Sequence, residues 1–228
     1  MDNSYYKYFA LALGVIILDQ VVKLWIYTNM DLYEEFNVLG TWFRIHYVEN
    51  PGIAFGMRAD WQYAKTALTL FRLVASGFGV YLIIKYSKKS IHPGALWAGA
   101  LILAGAIGNS IDSVFYGIFL DNAPQNAVFK LFNGQVVDML YFPLFEFTWP
   151  NWVPAWGGTN YEFFNAIFNI ADSSIFIGVV IMLIFQKRFF SEEHQNKESN
   201  SSGSAESLAN QSMANTISGT EEDSCVPS

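Results

Sequence analysis

Four stretches of this chain are apolar over nearly the length needed to cross a lipid bilayer, about 20 residues in helical conformation. They run roughly over Tyr6–Tyr27, Thr66–Tyr86, Gly94–Tyr116 and Phe164–Gln186. Hydrocarbon offers no water to backbone N–H and C=O groups, so such a segment must satisfy them internally, and an α-helix does. The composition agrees: of 228 residues 52% are hydrophobic, 17% aromatic and only 14% charged. The first stretch is not read as a cleaved leader, because it runs long, carries Asp19 and Lys23, and lacks a small-residue cleavage site. The expected fold is a membrane α-helical one with four transmembrane helices.

Two long segments, 28–65 and 117–163, alternate with a short one, 87–93. Lys85, Lys88 and Lys89 cluster at the short loop, Lys7 precedes the first span, and Lys187 and Arg188 follow the last. Basic residues stay on the cytoplasmic side. Both termini are therefore expected in the cytoplasm, and both long segments outside. In the first, Trp42, Arg44, His46 and Val48 alternate with Phe43, Ile45 and Tyr47 as in a strand, which Asn50-Pro51-Gly52 would end in a turn. In the second, Asn133-Gly134 is a turn signal between apolar runs, and the aromatic, proline-rich stretch 144–164 suits the membrane interface. These imply a small β-sheet and loop region lying on the outer membrane surface. The third span is rich in small residues, from Gly94 and Ala95 to Gly105 and Gly108, which lets helices approach closely.

Charge divides the chain. Seven acidic residues and one lysine fall from Phe189 onward, so most of the formal −7 sits in the tail. We read 1–188 as the transmembrane domain and 189–228 as a disordered cytoplasmic tail, too polar to build a core. No basic face recommends a nucleic-acid partner. The single cysteine, Cys225, leaves no disulfide framework or cysteine metal site.

Ionisable groups inside spans are costly and read as functional by default. Asp172 lies in an apolar run with Asn169 three residues before it, one turn away on a helical face. Asn109 and Asp112 repeat that spacing at the end of the third span, and Asp138 sits in the apolar GQVVDML. Asp112, Asp138 and Asp172 thus converge on the outer ends of two antiparallel spans. In the first span Asp19 and Lys23 form an i,i+4 pair that either neutralises itself or serves the same site. Two aspartates sharing a water need no cofactor for hydrolysis: one takes a proton from the water while the other, protonated, polarises the carbonyl. Like charges at close range, in apolar surroundings, keep one of them protonated. The histidines, His46, His92 and His194, fall on different segments, so neither a metal nor a cofactor is expected.

LDQVVK, ENPGIAFG, GAIGNSID, GQVVDML and FNIADSSIFIG, in that order between Leu18 and Gly178, resemble the motifs of the lipoprotein signal peptidases (signal peptidase II). The resemblance implies an aspartic endopeptidase of the bacterial inner membrane, active near the outer leaflet among membrane lipids. It implies removal of signal peptides from diacylglyceryl-modified prolipoproteins, with cleavage just before the lipid-bearing cysteine; a monomer is expected. By motif position Asp138 and Asp172 correspond to the catalytic aspartates, while Asp19, Lys23, Asn50, Gly52, Asn109, Asp112 and Asn169 line or brace the site. The family's Asp in GNxxD is typically followed by Arg, and here Ser113 follows Asp112. The stretches from Asp112 to Asp138 and from Asp138 to Asp172 are longer than the family's usual ones. Arg72 is a candidate for the missing cation, because it shares a stripe with Ala75, Ser76 and Gly79 that is suited to helix contact. A proton-coupled transporter and a structural scaffold are the alternative classes. The first would want polar groups running through the bilayer, and the second has no use for Asp138 outside it.

Overall fold

The computed structural model describes residues 5–51, 63–88, 91–125 and 127–189. Four helices are long and apolar enough to cross a membrane: α1 (Tyr6–Asn29), α2 (Ala64–Ser87), α3 (Pro93–Phe119) and α4 (Ile170–Phe189). Between them lie β1 (Glu35–Leu39), β2 (Phe43–Asn50), β3 (Val136–Tyr141), β4 (Phe145–Thr148), β5 (Asn160–Phe163) and β6 (Ile167–Phe168). Side chains such as Leu13, Val21 and Trp25 on α1, Phe71 and Val74 on α2, and Phe176 and Ile184 on α4 are exposed. A soluble fold would bury them, whereas a bilayer solvates them.

α3 is the hub. It is 56% buried over its apolar window, against 22% or less for the others. Its small residues explain this, since Ala98, Ala100, Ala104 and Gly105 let neighbours reach its backbone. A Cβ on Gly105 would stand 2.1 Å from the Ala171 carbonyl oxygen, and Ser174 Oγ donates to the Leu101 carbonyl across the same seam.

The sheet has antiparallel order β1-β2-β3-β6, and β4 and β5 form a separate hairpin. Strand alternation puts Val137 and Met139 on one face, where they pack with Tyr47 against Ile26 of α1, Met30 just past its end and Tyr116 of α3. Both are 0% exposed, and burial of each contributes about 1.5–3 kcal/mol. Asp138, between them, must face the other way. The strand expected around Trp42–Val48 is therefore present as β2, and the sheet caps one end of the bundle.

Two expectations need correction. The fourth helix starts at Ile170 and not near Phe164, because Ile167 and Phe168 pair with Tyr141 and Leu140. Lys65, assigned to the long segment 28–65, lies in the first turn of α2. Asn133-Gly134, the turn signal between apolar runs, follows a tight turn closed by the Asn133 N–H on the Lys130 carbonyl and runs on to meet α3. The backbone of α3 widens into a π-turn at Asp112–Tyr116, which frees carbonyls from the regular ladder. Gly134 N–H donates to the Ser113 carbonyl (3.0 Å) and Phe132 N–H to the Val114 carbonyl (3.1 Å). A Cβ on Gly134 would stand 2.2 Å from the Asp112 carbonyl oxygen, and one on Gly117 would stand 2.2 Å from that of Lys130. Here glycine permits backbone to meet backbone. The same segment holds α2, through Thr66 with the Asn133 amide and Thr69 Oγ1 with the Phe132 carbonyl.

Gly134→Ala is expected to destabilise the protein by at least about 1–3 kcal/mol, the range for overpacking. Gly14→Ala, whose Cβ meets nothing within 4 Å, serves as the control. Thermal unfolding in detergent reads both, and equal melting temperatures would show that the approach at Gly134 has room to relax.

Candidate active site

Lys23 is fully buried near the sheet end of α1, and each of its ammonium protons has an acceptor. Nζ stands 2.8 Å from Asp19 Oδ2, 2.7 Å from Asp112 Oδ2 and 3.1 Å from Asn109 Oδ1. The i,i+4 pair is thus not self-contained, because the lysine also belongs to α3. Asp19 is shared in turn: its Oδ1 accepts the Ala171 N–H (2.8 Å), one of the unpaired donors at the start of α4. Gln20, uncommitted from the sequence, donates to Asp112 Oδ1 at 2.8 Å, and its Oε1 accepts from the Tyr116 hydroxyl at 3.0 Å. Its signals in the sequence were an amide inside an apolar span and its place in LDQVVK.

A lysine has no acceptor, so Asn109 must turn its oxygen towards Lys23 and its NH2 away. That NH2 donates to Asp172 Oδ1 at 2.7 Å. Asn169 is fixed by the same logic. Its Oδ1 accepts the Asp172 N–H (2.8 Å), and its NH2 donates to Asp138 Oδ1 (2.6 Å) and Asn109 Oδ1 (3.1 Å). Asn169 is therefore the cap of α4, one residue ahead of the helix, and not a helical residue one turn below Asp172. The second oxygen of Asp138 accepts from Asn50 Nδ2 at 2.9 Å.

The sequence candidates Asp19, Lys23, Asn50, Asn109, Asp112, Asp138, Asn169 and Asp172 accordingly form one hydrogen-bonded network, contributed by α1, β2, α3, β3 and α4. Gly52 lies outside the described residues. Arg72 points into the bundle, with Nη1 3.4 Å from Ser113 Oγ. Ser113 is itself fully buried, its hydroxyl donating to the Asn109 carbonyl at 2.9 Å. Among the described residues no three His, Cys, Asp or Glu side chains gather where they could hold a metal ion.

Asp138 is 1% exposed and Asp172 partly open. Burial, and next the charge of Asp172, push the Asp138 carboxyl up to about 7, while the Asn50 and Asn169 amides pull the other way. One carboxyl that keeps its proton near neutral pH beside one that can act as a base is a pair suited to moving protons on and off a water and a carbonyl.

The family model for signal peptidase (SPase) II matches residues 11–188. The chain belongs to the signal peptidase II family. The lipoprotein signal peptidase of Porphyromonas gingivalis is 43% identical over 189 residues, covering 78% of this chain and 82% of that one. That of Amoebophilus asiaticus is 38% identical over 201 residues, covering 87% and 85%. A bacterial membrane enzyme solved by the in meso method superposes with TM-score 0.55 at 28% identity, over 82% of this chain and 90% of that one. This signal peptidase II family member is thus a multi-pass membrane peptidase.

Lys23→Met should destabilise the protein by about 3–5 kcal/mol, because it strands two buried carboxylates. Gln20→Ala should cost less. A Lys23→Met protein that melts in detergent as the wild type does would show that the ammonium is not the tie between α1 and α3.

Proposed function

We propose that this protein removes signal peptides from diacylglyceryl-modified prolipoproteins, cutting before the lipid-bearing cysteine, with Asp138 and Asp172 as the catalytic pair. The observation that carries the reading is Asn169, which holds the Asp138 carboxyl with its NH2 and the Asp172 backbone with its oxygen. One amide thereby fixes two carboxyl groups from different elements. The ionised Asp172 takes a proton from a water lying between the pair. The protonated Asp138 donates to the scissile carbonyl oxygen as the water attacks, and the resulting tetrahedral species collapses with a proton delivered to the cysteine amine. Asp19, Lys23, Asn109 and Asp112 orient the pair, and Asn50 positions Asp138. The lysine distribution supports cytoplasmic termini and a site near the outer leaflet, where lipid-modified substrate arrives.

Asp138→Asn and Asp172→Asn should each lower turnover by on the order of 10²–10⁴-fold, measured on a diacylglyceryl-modified prolipoprotein in detergent. Near-wild-type cleavage by either variant would sink the paired mechanism.

The pH profile gives an independent check. A carboxyl raised to about 7 carries its proton below that pH and loses it above. If protonated Asp138 is the acid, kcat/KM should fall as pH rises through about 7. A flat profile from pH about 6 to about 9 would assign the acid elsewhere.

A further inference from the structure

α2 buries a stripe of polar side chains. Lys65, Thr69 and Ser76, with the half-buried Arg72, recur at one-turn spacing along one face of an otherwise apolar spanning helix. Thr69 is satisfied by the Lys65 and Phe132 carbonyls, and Arg72 reaches Ser113 beside the network. Lys65 is different. It is 8% exposed, and its Nζ is buried with no hydrogen-bond partner among the described residues. A buried amine that no described residue bonds is costly, so the fold retains it at the expense of stability. Arg72, on the same face, stands against Ser113, the residue that follows Asp112. Protein encloses the Lys65 amine, which argues against a headgroup of the surrounding bilayer as its partner.

Hydrolysis makes such a partner. The scissile amide is neutral, and the water's oxygen becomes part of a carboxylate at the end of the released peptide. That anion forms beside Asp172, the proposed base, which repels it. We propose that Lys65 and Arg72 form a cationic subsite of the active site that receives the C-terminal carboxylate of the released signal peptide. The assignment rests on the peptidase reading above. Lys65 supplies donors with no competing partner among the described residues, and Arg72 adds a second positive charge two helical turns along the same face. The subsite favours the product over the intact amide, and so governs product inhibition.

The test uses the full chain in detergent and two peptides of one signal sequence ending at the residue before the cysteine, one a free acid and one an amide. Inhibition of prolipoprotein cleavage and the shift in melting temperature are both read. The wild type should prefer the acid by on the order of tenfold. Lys65→Met and Arg72→Gln should each bring the two peptides level, and Lys65→Arg should keep the preference. Equal binding of acid and amide by the wild type overturns the proposal without need of any variant. A preference that survives in folded Lys65→Met and Arg72→Gln overturns it as well, as does competition by phosphatidylglycerol in place of the acid peptide. The melting shift does not depend on turnover. Absent prolipoprotein cleavage with an acid-selective shift would therefore sink the functional reading and leave the cationic subsite standing.

Discussion

A lysine ammonium placed inside an apolar bundle has very few ways to exist, and Lys23 takes the one available to it here. Charges interact strongly where water is absent, so its two carboxylates and one amide oxygen act as directional fasteners. Asp19 comes from the same helix and Asp112 from α3. Asp19 in turn holds the first turn of α4 by its backbone. One buried cation thus joins three helices that lipid alone would leave free to slide, because apolar faces gain little from each other in hydrocarbon. An ion pair of this sort is weak evidence for stability as such. Its consequence here is register.

That register reaches the carboxyl pair through amides. Lys23 decides which way Asn109 points, and Asn109 presents its NH2 to Asp172. Asn169 is held by the start of α4 and presents its NH2 to Asp138. Amides suit this task because they donate and accept without titrating. The environments of the two aspartates differ: Asp138 is enclosed at the sheet, and Asp172 is partly open at a helix start. Enclosure raises the first towards neutrality.

The long connection between Asp112 and Asp138 also has a structural reason. The π-turn of α3 leaves the Ser113 and Val114 carbonyls to be bonded by Gly134 and Phe132. Asn122 and Gln135 close the segment on itself, and Gln135 binds Glu49 of β2. Within that packed turn position 113 is sealed, with room for a serine hydroxyl bonded to its own helix. Arg72 of α2 stands beside it, with Nη1 3.4 Å from the serine Oγ.

Much of this was legible in the chain itself. Span count followed from apolar length, because the backbone leaves a bilayer segment no alternative to helix. Asp138, Asp172 and their asparagines stood out because polar groups in apolar runs are expensive, and five motifs in order named the family. Local pattern could not place the start of α4, since residues 164–169 are apolar enough for a helix and only pairing with β3 makes them strand and cap. Nor could it show that Lys23 bridges helices, that Gly134 meets a backbone, or that Lys65 is buried. Those facts depend on which surfaces meet. A sequence records how costly a residue is to bury, whereas the partner that offsets the cost is decided only when distant segments pack.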